Sequence, residues 1–136
     1  MNITAAWDGG MAFVASQDGH TIRLDASAEL GGRDTGPRPK GLLLTSLAGC
    51  TGMDVVSILS KMKVEFTRFS VDVSADLTDV HPKVFSRIHI RYVFEGADIP
   101  RDKVEKAVNL SQEKYCGVSA MLGKACAITH EIIIPD

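Results

Sequence analysis

The stretch Pro39-Lys40-Gly41-Leu42-Leu43-Leu44-Thr45-Ser46-Leu47-Ala48-Gly49-Cys50-Thr51-Gly52-Met53-Asp54-Val55-Val56-Ser57-Ile58-Leu59 decides the fold. Pro39 opens it, and a proline near the first helical position costs little because its missing N–H has no partner there anyway. Beyond it, Leu44, Ala48, Thr51, Val55, Leu59 and Met62 recur at helical spacing. Leu43, Leu47, Cys50 and Asp54 form a second stripe beside the first. Two adjoining faces with no charge but Asp54 predict a helix buried on much of its circumference. Gly49 and Gly52 lie inside it, each costing up to about 1 kcal/mol relative to alanine. Such a penalty is tolerated where another element or another subunit approaches the backbone closely. This is the central helix.

Working outward, the chain before the helix reads as three short strands. Ile3, Ala5 and Trp7 alternate ahead of Asp8-Gly9-Gly10, Phe13 to Ala15 follow, and Ile22, Leu24 and Ala26 alternate after Asp18-Gly19. Asp-Gly between alternating runs is a hairpin signal, because the turn residues must tolerate positive φ. Residues 28–39, rich in glycine and proline, read as a loop. After the helix, Phe69, Val71, Val73, Ala75 and Leu77 alternate with polar residues, which marks a half-buried strand. Val84, Ile88, Ile90, Tyr92 and Phe94 line one side of the next strand, with Arg87, His89 and Arg91 on the other. That charged side is most simply a solvated sheet face. A second helix is expected from Asp98, read as its N-cap, with Val104, Ala107, Val108 and Ser111 on one face. A short continuation over Val118 to Leu122 leads to a closing strand holding Ile128, His130, Ile132 and Ile134. The order βββ-α-ββ-α-β predicts an α+β fold with antiparallel sheets around two helices, in one domain covering 1–136.

The formal net charge of −2 carries no basic surplus, so nucleic-acid binding is not expected. The N-terminus lacks a basic start and an apolar stretch, so no signal peptide is expected. The richest apolar run, Leu42 to Met62, is interrupted by Asp54 and Lys61, so no membrane span is expected either. A cytoplasmic protein follows, where three cysteines are read as free thiols rather than a disulfide framework. Cys50, Cys116 and Cys126 form no C-x-x-C pair, and the four histidines are scattered singly, so no metal is expected.

Three positions carry candidate chemistry. Cys50 is flanked by Gly49 and Gly52, which leaves room for a ligand or partner, although a lone cysteine is commonly a small buried hydrophobe. Asp54, one turn on, would by itself raise a thiol's pKa, so a reactive Cys50 requires a cation to intervene. Cys116 ends the second helix beside Gly117, at an element boundary, whereas Cys126 reads as packing. The loop before the central helix concentrates Arg33, Asp34 and Arg38, which suits a solvated connector and a contribution to a site about equally.

Pro39 through Cys50 resembles the central helix of the OsmC/Ohr hydroperoxide-resistance family, and Glu113-Lys114-Tyr115-Cys116-Gly117-Val118-Ser119 is similar to that family's second-cysteine motif. The run from Cys50 to Leu59 resembles the YhfA-like branch. This resemblance implies an intertwined homodimer and a thiol-dependent peroxidase, with Cys50 attacking an organic hydroperoxide or hydrogen peroxide and Cys116 condensing with the sulfenic acid. It further implies a dithiol reductant of the lipoyl type, and no metal, flavin or haem cofactor. Where the peroxidatic branches carry a glutamate, this chain has Lys40, and no arginine stands in Phe13 to Asp18. Arg38 is therefore the basic residue expected to bind the peroxide. The alternative is a small-molecule-binding dimer with little turnover; a Cys–His acyl transferase would need a histidine to reach Cys50 in space.

Overall fold

In the computed structural model, which describes residues 1–135, the chain divides into two compact units, Met1–Leu43 and Leu44–Asp136. The first is an antiparallel meander of β1 (Thr4–Trp7), β2 (Phe13–Gln17) and β3 (His20–Leu24). Its turns have the backbone that their sequences demand. Gly9 and Gly10 both take positive φ, and Asp18 and Gly19 form a two-residue hairpin with φ of 52° and 78°. After a short 3₁₀ turn at Ala28–Leu30, the loop is held by one buried carboxylate. Asp25 accepts from the Thr35 hydroxyl at 2.6 Å and from the backbone N–H groups of Ala26, Thr35 and Arg33. The Thr35 hydroxyl above all, with those N–H groups, holds Asp25 well below the usual carboxylate range despite its burial. The meander leaves large apolar side chains uncovered: Ile3, Trp7, Met11 and Phe13 are all exposed.

The second unit is built on the central helix α1 (Pro39–Lys61) from Leu44 onward and a sheet of β4 (Arg68–Leu77), β5 (Phe85–Glu95) and β6 (Ala127–Ile133), in the order β4-β5-β6. The expected alternation is realised on β5, where Ile88, Ile90, Tyr92 and Phe94 are buried and the residues between them face outward. Across from them, Phe69 pairs with Phe94 and stacks on it at 4.3 Å, with Phe66 edge-on to both rings. Leu47, Thr51, Val55 and Leu59 of α1 and Val104, Ala107 and Val108 of α2 (Arg101–Leu110) are buried, the apolar ones in one core with β5. Fully burying a leucine or valine contributes about 1.5–3 kcal/mol. The stripe on α1 therefore outweighs the helix penalty of its two glycines.

Three expectations are corrected. The sheet of the second unit is mixed rather than antiparallel, because β6 runs parallel to β5. A parallel neighbour requires a long crossover, and α2 and α3 (Gly117–Gly123) supply it. The helix α2 begins at Arg101 with Pro100 as N-cap and no side-chain cap, while Asp98 sits earlier with φ 54°. The central helix is buried along one narrow stripe only. Leu43, Met53 and Val56 on its other faces are exposed, Met53 to 75%. By length and composition α1 is also apolar enough to cross a membrane, with mean hydropathy 1.7 in its richest window; here it serves as the core helix of the second unit.

Candidate active site

Between α2 and α3 the backbone widens into a π-helical turn over Ser111–Tyr115, closed by the Cys116 N–H donating to the Ser111 carbonyl at 2.8 Å. Such turns insert an extra residue into a helix and often lie at functional sites. Here Ser111 is buried and Gln112 half-buried, both in contact with α1. Cys116 then leaves the helical conformation, with φ −78° and ψ 99°, and becomes the N-cap of α3. Its Sγ accepts a hydrogen bond from the Ser119 N–H at 3.4 Å. The boundary position read for Cys116 is thus a cap, with the thiol turned inward and 3% exposed.

The turn places Cys116 against α1. The Sγ atoms of Cys50 and Cys116 and a carboxylate oxygen of Asp54 all lie within 4.8 Å of one another. Cys50 and Asp54 are half-buried. Burial pushes the Cys116 thiol up from its ordinary value, the neighbouring Cys50 sulfur pushes it further, and the Ser119 hydrogen bonds partly offset both. The Cys116 thiol is therefore held in its protonated form. Cys126, with its Sγ near the Leu122 carbonyl, packs against the core.

Behind the cysteines runs a chain of buried hydroxyls that sequence reasoning did not single out. Ser111 Oγ lies 3.0 Å from Asp54 Oδ2, Thr51 Oγ1 lies 2.7 Å from both Ser111 Oγ and the Tyr92 hydroxyl, and Gln112 Nε2 reaches Thr51 at 3.2 Å and Tyr92 at 2.8 Å. Counting protons fixes the directions. A carboxylate only accepts, so Ser111 donates its single proton to Asp54. Thr51 must then donate to Ser111, and Tyr92 to Thr51, while the Gln112 amide donates to both Tyr92 and Thr51. Every hydroxyl points towards Asp54. Burial pushes the Tyr92 phenol above its ordinary range, which keeps it a donor. A signal existed in the sequence: Thr51 and Ser111 are polar residues on stripes that are otherwise apolar, and buried polar groups need partners.

Arg38 lies in the first unit, immediately before α1, where its Nη1 donates to Asp34 Oδ1 at 2.5 Å and to the Gly36 carbonyl at 3.0 Å. His89 stands on the outward side of β5, next to Thr129 and Glu131. His130 packs edge-on to Tyr92, and burial lowers its pKa. On α1 itself, Gly52 lets Val71 of β4 approach to 3.4 Å of where a Cβ would stand, while Gly49 faces open space. A cleft of about 290 Å³ lined by Asp54, Ser57, Ile58, Lys61, Leu110 and Tyr115 gives access to the carboxylate.

Central-helix and second-cysteine elements joined in this way agree with what the sequence of the chain matches. The sequence model of the OsmC-like protein family covers residues 31–131. The chain belongs to the OsmC family. Protein YhfA of Escherichia coli K12 is 34% identical over 131 residues, covering 96% of this chain and 95% of YhfA. The crystal structure of an OsmC-like protein from Mycoplasma pneumoniae superposes with a TM-score of 0.84 over 99% of this chain and 96% of that one, at 15% identity. The organic hydroperoxide resistance protein OhrB of Bacillus subtilis superposes at 0.65 over 96% of both chains, at 20% identity. At those identities the two structures speak for the OsmC fold, and YhfA for the branch.

Proposed function

We propose that this OsmC-family protein is a cysteine-based peroxidase that reduces organic hydroperoxides or hydrogen peroxide. The observation that carries this reading is the approach of the Cys50 and Cys116 sulfurs to within 4.8 Å, with Cys116 kept protonated. In the first step the Cys50 thiolate attacks the distal peroxide oxygen, the O–O bond breaks, and the leaving alkoxide takes a proton to become the alcohol. Cys50 is left as a sulfenic acid, the first reversible rung of cysteine oxidation. In the second, Cys116 attacks that sulfur; the S–S bond forms, and the thiol proton leaves with the hydroxide as water. Closing to a disulfide of about 2.05 Å requires a local movement that brings the two sulfurs together from within 4.8 Å. A dithiol, of the lipoyl type in this reading, then returns both cysteines to thiols and is itself oxidised. Arg38 is assigned to the peroxide, since a guanidinium fork can orient it and stabilise charge on the leaving oxygen.

The same reading treats 1–136 as one functional domain of a cytoplasmic homodimer. The uncovered apolar surfaces support the dimer. Met53 and Val56 border a groove of about 640 Å³ whose other walls include Ala48, Gly49, Gly52 and Phe69, and the meander exposes Trp7 and Phe13. The name of OhrB, an organic hydroperoxide resistance protein, supports the substrate class. Lys40 in place of the family glutamate and that apolar groove favour a second reading, a small-molecule-binding dimer with little turnover. Two measurements separate the readings: peroxide consumption with dithiothreitol or a lipoyl dithiol, and peptide mapping after one equivalent of peroxide. A Cys50–Cys116 bridge with turnover that Cys50→Ser abolishes supports the peroxidase. Overoxidised Cys50 alone, or a bridge through Cys126, overturns the role given to Cys116.

A further inference from the structure

We infer that Cys50, Cys116 and Asp54 form a three-ligand site for a thiophilic divalent cation of the zinc type, bound by the reduced protein in competition with disulfide formation. The donor set is chemically suited to it. Two sulfurs and a carboxylate oxygen come from two elements, α1 and the turn before α3, and all lie within 4.8 Å of one another. Zinc binds thiolate at about 2.3 Å and carboxylate oxygen at about 2.0–2.2 Å. A tetrahedral ion therefore needs its sulfurs about 3.8 Å apart and each sulfur about 3.5 Å from the oxygen. Each donor has to move by less than about 1 Å, within the reach of a side-chain adjustment.

The surroundings support the donors as a ligand shell does. Ser111 donates to Asp54 Oδ2 at 3.0 Å, which fixes the carboxylate. Ser111 is fixed in turn by Thr51, and Thr51 by Tyr92 and Gln112. The Ser119 N–H donates to Cys116 Sγ, the kind of bond that stabilises a metal-bound thiolate. Outer partners of this sort orient ligands, and losing one commonly costs about 10–100-fold in metal affinity. Three protein ligands leave a fourth tetrahedral position for water or another small ligand, as in open zinc sites. Binding as thiolates releases the two thiol protons, so two thiolates and one carboxylate meet a dication with a net charge of −1. This site rests on the geometry of the thiol pair and not on its turnover.

The test uses the full-length reduced protein without peroxide. Zinc is titrated against a chromophoric chelator, and cobalt(II) is substituted as a spectroscopic probe. The expected result is one ion per chain and a thiolate-to-cobalt charge-transfer band, both lost in Cys50→Ser and in Cys116→Ser. Asp54→Asn should keep both thiols yet bind at least about tenfold more weakly, and Ser111→Ala should weaken binding about 10–100-fold. Circular dichroism of each variant checks that it folds. No zinc affinity above that of Cys50→Ser, or an ion whose binding ignores Cys50, Cys116 and Asp54, overturns the site. Zinc binding without peroxide turnover would leave this inference standing while the peroxidase reading fails, and turnover without zinc affinity would do the reverse.

Discussion

Thr51→Val tests whether the buried hydroxyl chain has the directions assigned to it. Valine has nearly the shape of threonine, so the substitution removes a hydrogen-bonding atom with little change in packing. Thr51, Tyr92 and Ser111 are all fully buried, and water cannot replace the lost partner. Tyr92 loses its acceptor and becomes an unsatisfied buried donor, while Ser111 keeps Asp54 and Gln112 keeps Tyr92. Leaving a buried donor unpaired costs about 1–3 kcal/mol, and the added methyl offsets up to about 0.8 kcal/mol. A net loss near 1.5 kcal/mol follows, equivalent to roughly 5–6 °C in Tm for a chain of this size. Urea unfolding followed by far-UV circular dichroism, at one protein concentration for all variants, measures it. The sharper test is the double variant with Tyr92→Phe. Once the phenolic O–H is gone, Thr51→Val strands nothing, so the double variant should lose less than the sum of the singles by about 1 kcal/mol or more. Simple additivity, or a single-variant loss below about 0.5 kcal/mol, would refute the relay from Tyr92 to Asp54.

Gly49→Leu probes the dimer: within one chain a Cβ at Gly49 meets nothing within 4 Å, so the fold should survive while a subunit packed on that groove is displaced. Sedimentation should find a wild-type dimer and weakened association in the variant; a wild-type monomer at micromolar concentration, or unaltered association, contradicts the interface. Arg38→Ala should lower the second-order rate with peroxide at least about tenfold, or about 1.4 kcal/mol, and Lys40→Ala less; stopped-flow rates equal to wild type would remove the guanidinium from the reaction. The Cys116 thiol, raised chiefly by burial and further by Cys50, should alkylate with a pH midpoint above that of an ordinary thiol, since raising the pKa shrinks the thiolate fraction at any given pH below it. Cys50→Ser should bring that midpoint down only in part, because burial remains; a midpoint at or below the ordinary value would refute the claim that burial keeps Cys116 protonated.

Local pattern determined the elements, because each depends on residues within a few positions of one another. The helical spacing from Leu44 to Met62 specifies a helix, the alternation of Phe69 to Leu77 a strand, and Asp18-Gly19 a hairpin, all as found, although the buried stripe of the helix takes Leu47 from one expected face and Thr51, Val55 and Leu59 from the other. The two cysteine-bearing segments were likewise legible, since each motif is contiguous. What depended on residues distant in sequence was not. That β6 runs parallel to β5 follows from how α2 and α3 cross the sheet, and no feature of Ala127–Ile133 alone states its direction. The π-helical turn, which presents Ser111 and Gln112 to α1 and turns Cys116 inward, arises where tertiary packing overrides the regular helical repeat. The exposure of Met53 and Val56 was hidden because hydrophobicity reports what a face prefers, and not what covers it in one chain. The sequence shows no close cluster of ligands, whereas folding brings Cys50 and Asp54, one helical turn apart, to Cys116, which lies 66 positions beyond Cys50. Contacts of that span are made by the closed core rather than by any local preference, so only the tertiary structure could assemble the site.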